Sequence, residues 1–279
     1  DGRDLVLSCG ATLNHCVIAL AAMGWRSKIH RLPDAADNDH LAAIEVYPGD
    51  ADPVDVALAA AIPRRRTDRR YYSSWRVPPG DIALMGARAA RLGVKLRQVD
   101  AVDKLHTIVT QAVRSHIADR EYLAELTMWS GRYASKAGVP ARNAPAPDRA
   151  ATMPARQFAG PALRQPPGAS AADDNAVIVA LGTETDDRLA WLRAGEATSV
   201  VLLTATALGL ASCAVTEPLE IPATRDAVRL DVFGNCCYTQ MLLRVGWAPA
   251  NADPLPATPR RRLDRVVGWI TEGERNLPA

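Results

Sequence analysis

The feature that most restricts the fold is a gapless internal repeat. Residues 10–25 align with residues 195–210 at a constant offset of 185. Both copies carry glycine at each end, Gly10 and Gly24 in the first, Gly195 and Gly209 in the second, with apolar residues at 16–18 and 201–203. Each copy reads as a long helix, apolar almost all round and hence buried on most sides. The closing glycines are natural helix C-caps. Each helix leads into a strand-like stretch, residues 41–46 and 240–245. One chain therefore carries two related halves.

The halves are unequal. Asp50-Ala51-Asp52-Pro53 marks the boundary, so residues 1–50 form the short first half and residues 54–279 the second. Helical patterns cover 54–62, 81–92, 101–117 and 121–133, with strand-like segments at 94–99 and 176–181. Residues 139–172 are rich in Pro, Ala and Gly and read as a long loop or lid. The residues from Trp269 onward read as a loose tail. The chain enters folded-looking sequence at once, which suggests upstream residues and gives no sign of a signal peptide.

Composition excludes several classes. The 279 residues are 48% hydrophobic, enough for a substantial core. Basic and acidic residues number 33 and 31, too even for a dedicated nucleic-acid binder. The longest membrane candidate, residues 200–215, is short and rich in small residues, so it reads as a buried helix. Five cysteines without regular spacing argue for a reducing, cytoplasmic compartment, with Cys9 and Cys16 as small core residues on one helix face. None of the five histidines pairs with another at i+4, and no Cys-x-x-Cys, Walker A, Gly-x-Gly-x-x-Gly or Gly-x-Ser-x-Gly motif occurs.

Charge is concentrated instead in two arginine runs. Arg64-Arg65-Arg66-Thr67-Asp68-Arg69-Arg70 follows an apolar helix, and Pro259-Arg260-Arg261-Arg262 lies near the C-terminus. Guanidinium forks beside a hydroxyl suit a phosphate. The same residues also suit a solvated patch at a helix C-terminus, where cations favour the dipole. Spacing alone does not show whether the runs meet. The acids in Thr183-Glu184-Thr185-Asp186-Asp187 read as helix caps, with Thr183 or Thr185 at the N-cap.

Several segments resemble the nitroreductase family. Residues 62–69, Ile-Pro-Arg-Arg-Arg-Thr-Asp-Arg, are similar to its opening Arg-Arg-Ser-x-Arg motif, with Thr67 for serine. Ala207-Leu208-Gly209-Leu210 resembles the end of its core helix, and Thr216-Glu217-Pro218-Leu219-Glu220 its flavin-ring loop. Residues 119–130, 138–140 and 186–197 resemble the Acg-like branch of actinobacterial NAD(P)H nitroreductases, which includes dormancy-associated proteins. A Pro-Ser-x-x-Asn-x-Gln-Pro-Trp segment of the family has no counterpart; it would precede Asp1.

The resemblance implies an α+β nitroreductase fold, a single-chain pseudo-dimer of two unequal halves around a mixed sheet. It implies FMN at the half–half interface, with its phosphate on Arg64, Arg65 and Thr67 plus Arg261, and its ring near backbone N–H groups of Glu217 and Leu219. NAD(P)H would be the reductant and a nitro compound or quinone the small-molecule acceptor, with no catalytic side chain and no metal. The alternative is an FMN-sequestering protein with little turnover. Neither nucleic acid nor membrane is an expected partner, and a monomer or weak homodimer is the expected state.

Overall fold

The computed structural model describes residues 2–131, 137–148 and 150–269. Helix α1 (Gly2–Ala22) leads into a hairpin of β1 (Trp25–Arg31) and β2 (Ala42–Pro48). Helices α2 (Pro53–Ala61) and α3 (Pro79–Ala90) precede β3 (Lys95–Gln98), α4 (Val102–Ala118) and α5 (Arg120–Trp129). Among the described residues that lead to β4 (Val177–Thr183), a long irregular strap is broken only by a 3-10 turn at Ala141–Asn143. Then come α6 (Arg188–Ala207), β5 (Ala211–Ala214), a 3-10 turn at Glu217–Leu219, α7 (Pro222–Phe233) and β6 (Tyr238–Gly246).

The main sheet has the order β3-β4-β6-β5, and every pairing in it is antiparallel. The expected mixed sheet is thus corrected: the first half contributes only its own hairpin, β1–β2, also antiparallel. Alternation along the central strands sends side chains to both faces. Ile178, Ala180 and Leu242 pack under α4 and α7, while Val179, Leu181 and Leu243 pack under α3 and α6.

The two repeat helices cross through their glycines. A Cβ on Gly10 would stand 2.1 Å from the Leu192 carbonyl oxygen, and one on Gly195 would stand 2.0 Å from that of Leu7. Leu7 and Leu192 are themselves 185 apart, so the contact is reciprocal: each helix lays its glycine on the equivalent carbonyl of the other. Only residues without a side chain allow backbones this close. Around the crossing, Val6, Leu13 and Leu192 pack on the hairpin, and Ile18, Leu58, Ala61, Val200 and Leu203 join α1, α2 and α6. Gly24 and Gly209 take the left-handed conformation expected of C-caps, with φ of 81° and 84°.

The copies differ in burial. Most of α6 is buried between the sheet and α1. Helix α1 is buried along one face only; Leu5 and Cys16 lie exposed, so Cys16 is not the core residue expected. On its buried face α1 packs on α6, α2 and the hairpin. With mean hydropathy 1.8, α1 is also the one described helix long and apolar enough to cross a bilayer, which residues 200–215 are not. The N-cap of α6 is Asp187, whose carboxylate accepts from Ala190 N–H, rather than Thr183 or Thr185. Helix α5 ends at Trp129; Tyr133 and residues 270–279 lie outside the described residues.

Buried charges are paired. Arg31 donates to both oxygens of Glu196 at 2.7 and 2.8 Å, tying β1 to α6. Asp186 accepts from Arg225, Gln240 and the Trp191 indole, joining α6, α7 and β6. Burial would raise the Asp186 pKa, but these donors outweigh it and hold it down at about 2.

Two outcomes follow. Gly195→Ala should destabilise the fold by about 3 kcal/mol, because a methyl group is driven into a helix carbonyl. Gly80→Ala, with open space around it, should change stability by less than about 1 kcal/mol. Urea midpoints compare the two. Asp186 has a depressed folded-state pKa, so its contribution is present above its ordinary value of 3.8 and lost as pH falls toward 2. Over that window the wild type should lose about 2 kcal/mol that Asp186→Asn does not.

Candidate functional site

The segment after α2 is extended and docks on β5. Thr67 bridges Ser212, and Asp68 N–H donates to Ser212 O at 2.9 Å. Alternation then sorts its side chains. Asp68 turns inward and takes a two-pronged hydrogen bond from Arg70, with both contacts at 2.9 Å. Arg69 turns the other way, into a cavity of about 250 Å³.

That cavity lies between β5 and the strap. It is lined by residues 213–217 on one side and by Val139, Met153, Pro154, Ala155 and Phe158 of the strap on the other. Three arginines reach it. Arg244 is spent on Asp174 at 2.5 Å, and Arg156 on Glu220. Arg69 donates to Asn143 O at 3.0 Å and lies over the Phe158 ring, yet it has no carboxylate partner among the described residues. Burial pushes its guanidinium below the usual arginine value without making it neutral. Burial also raises the Cys213 thiol in the cavity wall, which keeps it protonated.

A second group of basic side chains sits at the start of the same segment. His15 of α1, Arg65 and Arg260 lie near one another. Burial first, then the charges of Arg65 and Arg260, lower the His15 pKa; burial, then Arg260 and Arg66, lower that of Arg65. No carboxylate pairs with any of the three among the described residues. Basic side chains gathered without a carboxylate among them are suited to an anion. The two arginine runs therefore do meet.

Each expected site residue can now be placed. Arg65 lies in this group beside Arg260; Arg260 and Arg261 are both exposed. Arg64 is exposed and caps α2, its Nε donating to Ala60 O at 3.0 Å, which is the helix-terminus role. Thr67 lies between cluster and cavity. Glu217 lines the cavity. Leu219 does not: its side chain is core, its N–H donates to Thr216 O at 2.8 Å, and its carbonyl accepts from Arg3. Sequence reasoning missed Arg69, Arg156 and His15. The Asp68–Arg70 spacing carried a usable signal for Arg69, since in an extended strand an i, i+2 ion pair places the residue between them on the opposite face.

No family model matches the sequence. A Mycobacterium tuberculosis protein named "Putative NAD(P)H nitroreductase" is 67% identical over 272 residues, covering 98% of this chain and 79% of that protein. A second, "Putative NAD(P)H nitroreductase acg" of the same organism, is 33% identical over 274 residues, covering 95% of this chain and 81% of its own length. A crystal structure of a nitroreductase with bound FMN from Bacteroides fragilis aligns with 77% of this chain and 98% of that chain, at 14% identity and a TM-score of 0.48.

If the cations crowd one another as described, Arg65→Ala removes one of the charges that disfavour protonated His15. The His15 pKa should then rise, and Arg260→Ala should raise it too. A proton NMR titration of the imidazole measures both shifts. A His15 pKa unmoved by either change would separate the three residues.

Proposed function

The chain belongs to the nitroreductase family, and from that membership we propose that it binds one FMN and passes reducing equivalents from NAD(P)H to a small nitro compound or quinone. The observation that carries this is the pair of basic sites on one short segment. Residues 65 and 69 are at most about 14 Å apart along an extended chain. A planar ring with a phosphorylated tail suits such a pair, with the ring in the cavity and the phosphate in the cluster. The cavity alone, at about 250 Å³, is below the roughly 300–1,000 Å³ usual for a whole ligand. It suits the ring, with the tail running out past Thr67.

Arg65 and Arg260 would hold the phosphate, His15 would add a third donor when protonated, and Thr67 would border the tail. Bound FMN supplies the hydride chemistry, while the protein supplies position and field. Arg69 keeps an uncompensated positive charge at the cavity wall, which favours a ligand that gains negative charge on reduction. Burial by the strap removes water and strengthens that field.

The reciprocal glycine crossing supports the pseudo-dimer. Helix α1 of the first half brings His15 to Arg65 and Arg260 of the second, so one chain completes the anion site. A monomer should retain flavin, and light scattering across a dilution series checks this; flavin lost in step with dimer dissociation would contradict it.

Arg65→Ala should weaken FMN by roughly 10- to 150-fold, the worth of one charge-assisted hydrogen bond. Riboflavin, which lacks the phosphate, should bind both proteins alike. Fluorescence titration measures both. An equal loss for riboflavin would remove Arg65 from the phosphate site.

The strap favours a second function, FMN storage with little turnover. It is anchored by Tyr71 to Asp148, by Arg69 to Asn143 O and by Arg156 to Glu220, so the cavity is covered at rest. Anaerobic stopped-flow mixing with NADH and NADPH separates the two: slow bleaching of the flavin band, faster in Tyr71→Phe, supports the enzyme. If both nucleotides fail in both proteins while dithionite succeeds, storage is the function.

A further inference from the structure

Two cavities of this protein share Arg156 in their walls and are also joined by a hydrogen bond between His116 and Glu217. The smaller is the one that holds Arg69. The larger, about 610 Å³, lies beside α4 and α5 and is lined by His116, Asp119, Tyr122 and Glu220. Glu217 belongs to the wall of the smaller cavity and His116 to that of the larger. His116 Nδ1 is 3.1 Å from Glu217 Oε1. Both residues are buried, His116 at 7% and Glu217 at 5% exposure.

The surroundings fix this pair in place. The His116 ring stacks on Tyr122 with centroids 3.9 Å apart and planes 8° from parallel. Its Nδ1 thereby faces Glu217, and its Nε2 faces Glu220 across 3.9 Å, on the side of the larger cavity. An imidazole with one nitrogen toward each compartment can take a proton on one side and release one on the other. Glu217 Oε2 has no hydrogen-bond partner, although its residue is buried. A buried, ionised oxygen without a donor is costly, whereas a protonated carboxyl needs only something to donate to. The charged and titratable groups facing Glu217 are His116 of α4, Tyr122 of α5, Arg156 of the strap and Glu220 of its own turn. Arg69 and Arg244 stand across the smaller cavity. Burial raises the Glu217 pKa, with His116 and Arg156 pulling against it.

We propose that Glu217 is the proton donor to an acceptor reduced at the face of a ring held in the smaller cavity, and that His116 reloads it from water in the larger one. This rests on the function proposed above. A quinone becomes a hydroquinone by gaining one hydride, ultimately from NAD(P)H, and one proton. The Glu217 O–H bond breaks as the acceptor oxygen is protonated. The carboxylate recovers its proton from His116 Nδ1, and His116 Nε2 takes one from water. NAD(P)H is oxidised, the quinone is reduced, and one solvent proton is consumed. His116 acts through Glu217 and is a positioning and relay residue.

Infrared titration of the flavin-free protein tests the pair directly. A carboxylic-acid band absent from Glu217→Gln should titrate above the ordinary glutamate range. It should persist to higher pH in His116→Phe, which keeps the stack on Tyr122 but removes the nitrogen partner. In flavin-loaded protein, Glu217→Gln should slow reoxidation by a quinone about 100-fold, with a far smaller effect on bleaching by NAD(P)H. His116→Phe should slow the same half-reaction, and added imidazole should restore part of it. Wild-type reoxidation rates in Glu217→Gln, or a Glu217 band that ignores His116→Phe, would overturn the relay. A protein that takes up no FMN would overturn the function on which it rests and leave the infrared outcome standing by itself.

Discussion

Everything else in this molecule is arranged around the contact of Gly10 with Gly195. Two helices touch backbone to backbone there, each glycine against the other's carbonyl, and no residue with a Cβ fits either position. The crossing fixes the axial register of α1 on α6. His15 lies five residues beyond Gly10, about 7.5 Å along the axis, and so comes level with the end of α2, which packs in the angle between the two helices. The arginine segment leaves α2 at that point and must run toward β5. The site is thus a consequence of a helix crossing made of absent side chains.

Electrostatics in the rest of the fold makes the site stand out. Glu196, Asp186, Asp68 and Asp174 each bind an arginine, as buried charges must to avoid a large desolvation penalty. Arg65 and Arg69 break that pattern, with no carboxylate bound to either among the described residues. Uncompensated cations reduce stability in a protein that otherwise pairs its charges, and the natural explanation is a ligand that brings the missing negative charge. The strap supplies the other condition, a wall that keeps water from competing.

Much of the architecture was legible from local patterns. Helix periodicity placed α2, α3 and α4 within a few residues, the C-cap glycines ended α1 and α6 correctly, and buried apolar runs gave β4 and β6. The motif around residues 62–69 pointed to the family that the mycobacterial relatives establish. What the sequence hid was long-range. Strand β1 reads as polar because only a hairpin pairs it, and strand directions depend on partners far away in the chain. The choice of Arg260 over Arg261 depends on where α1 passes, and Leu219 turned inward because the 3-10 turn uses its N–H internally. His116 reads as an ordinary surface or core histidine, and the two cavities on either side of it give it a direction.

The account turns on the phosphate of FMN lying among His15, Arg65 and Arg260. Phosphorus NMR of the flavin-loaded protein examines that group alone. A free phosphomonoester loses its second proton near pH 6. Surrounded by these cations it should stay dianionic, so the bound resonance should remain flat between about pH 5 and 8, and Arg65→Ala should bring back a titration in that range. A bound resonance that titrates near pH 6 in the wild-type protein would place the phosphate elsewhere and contradict the account.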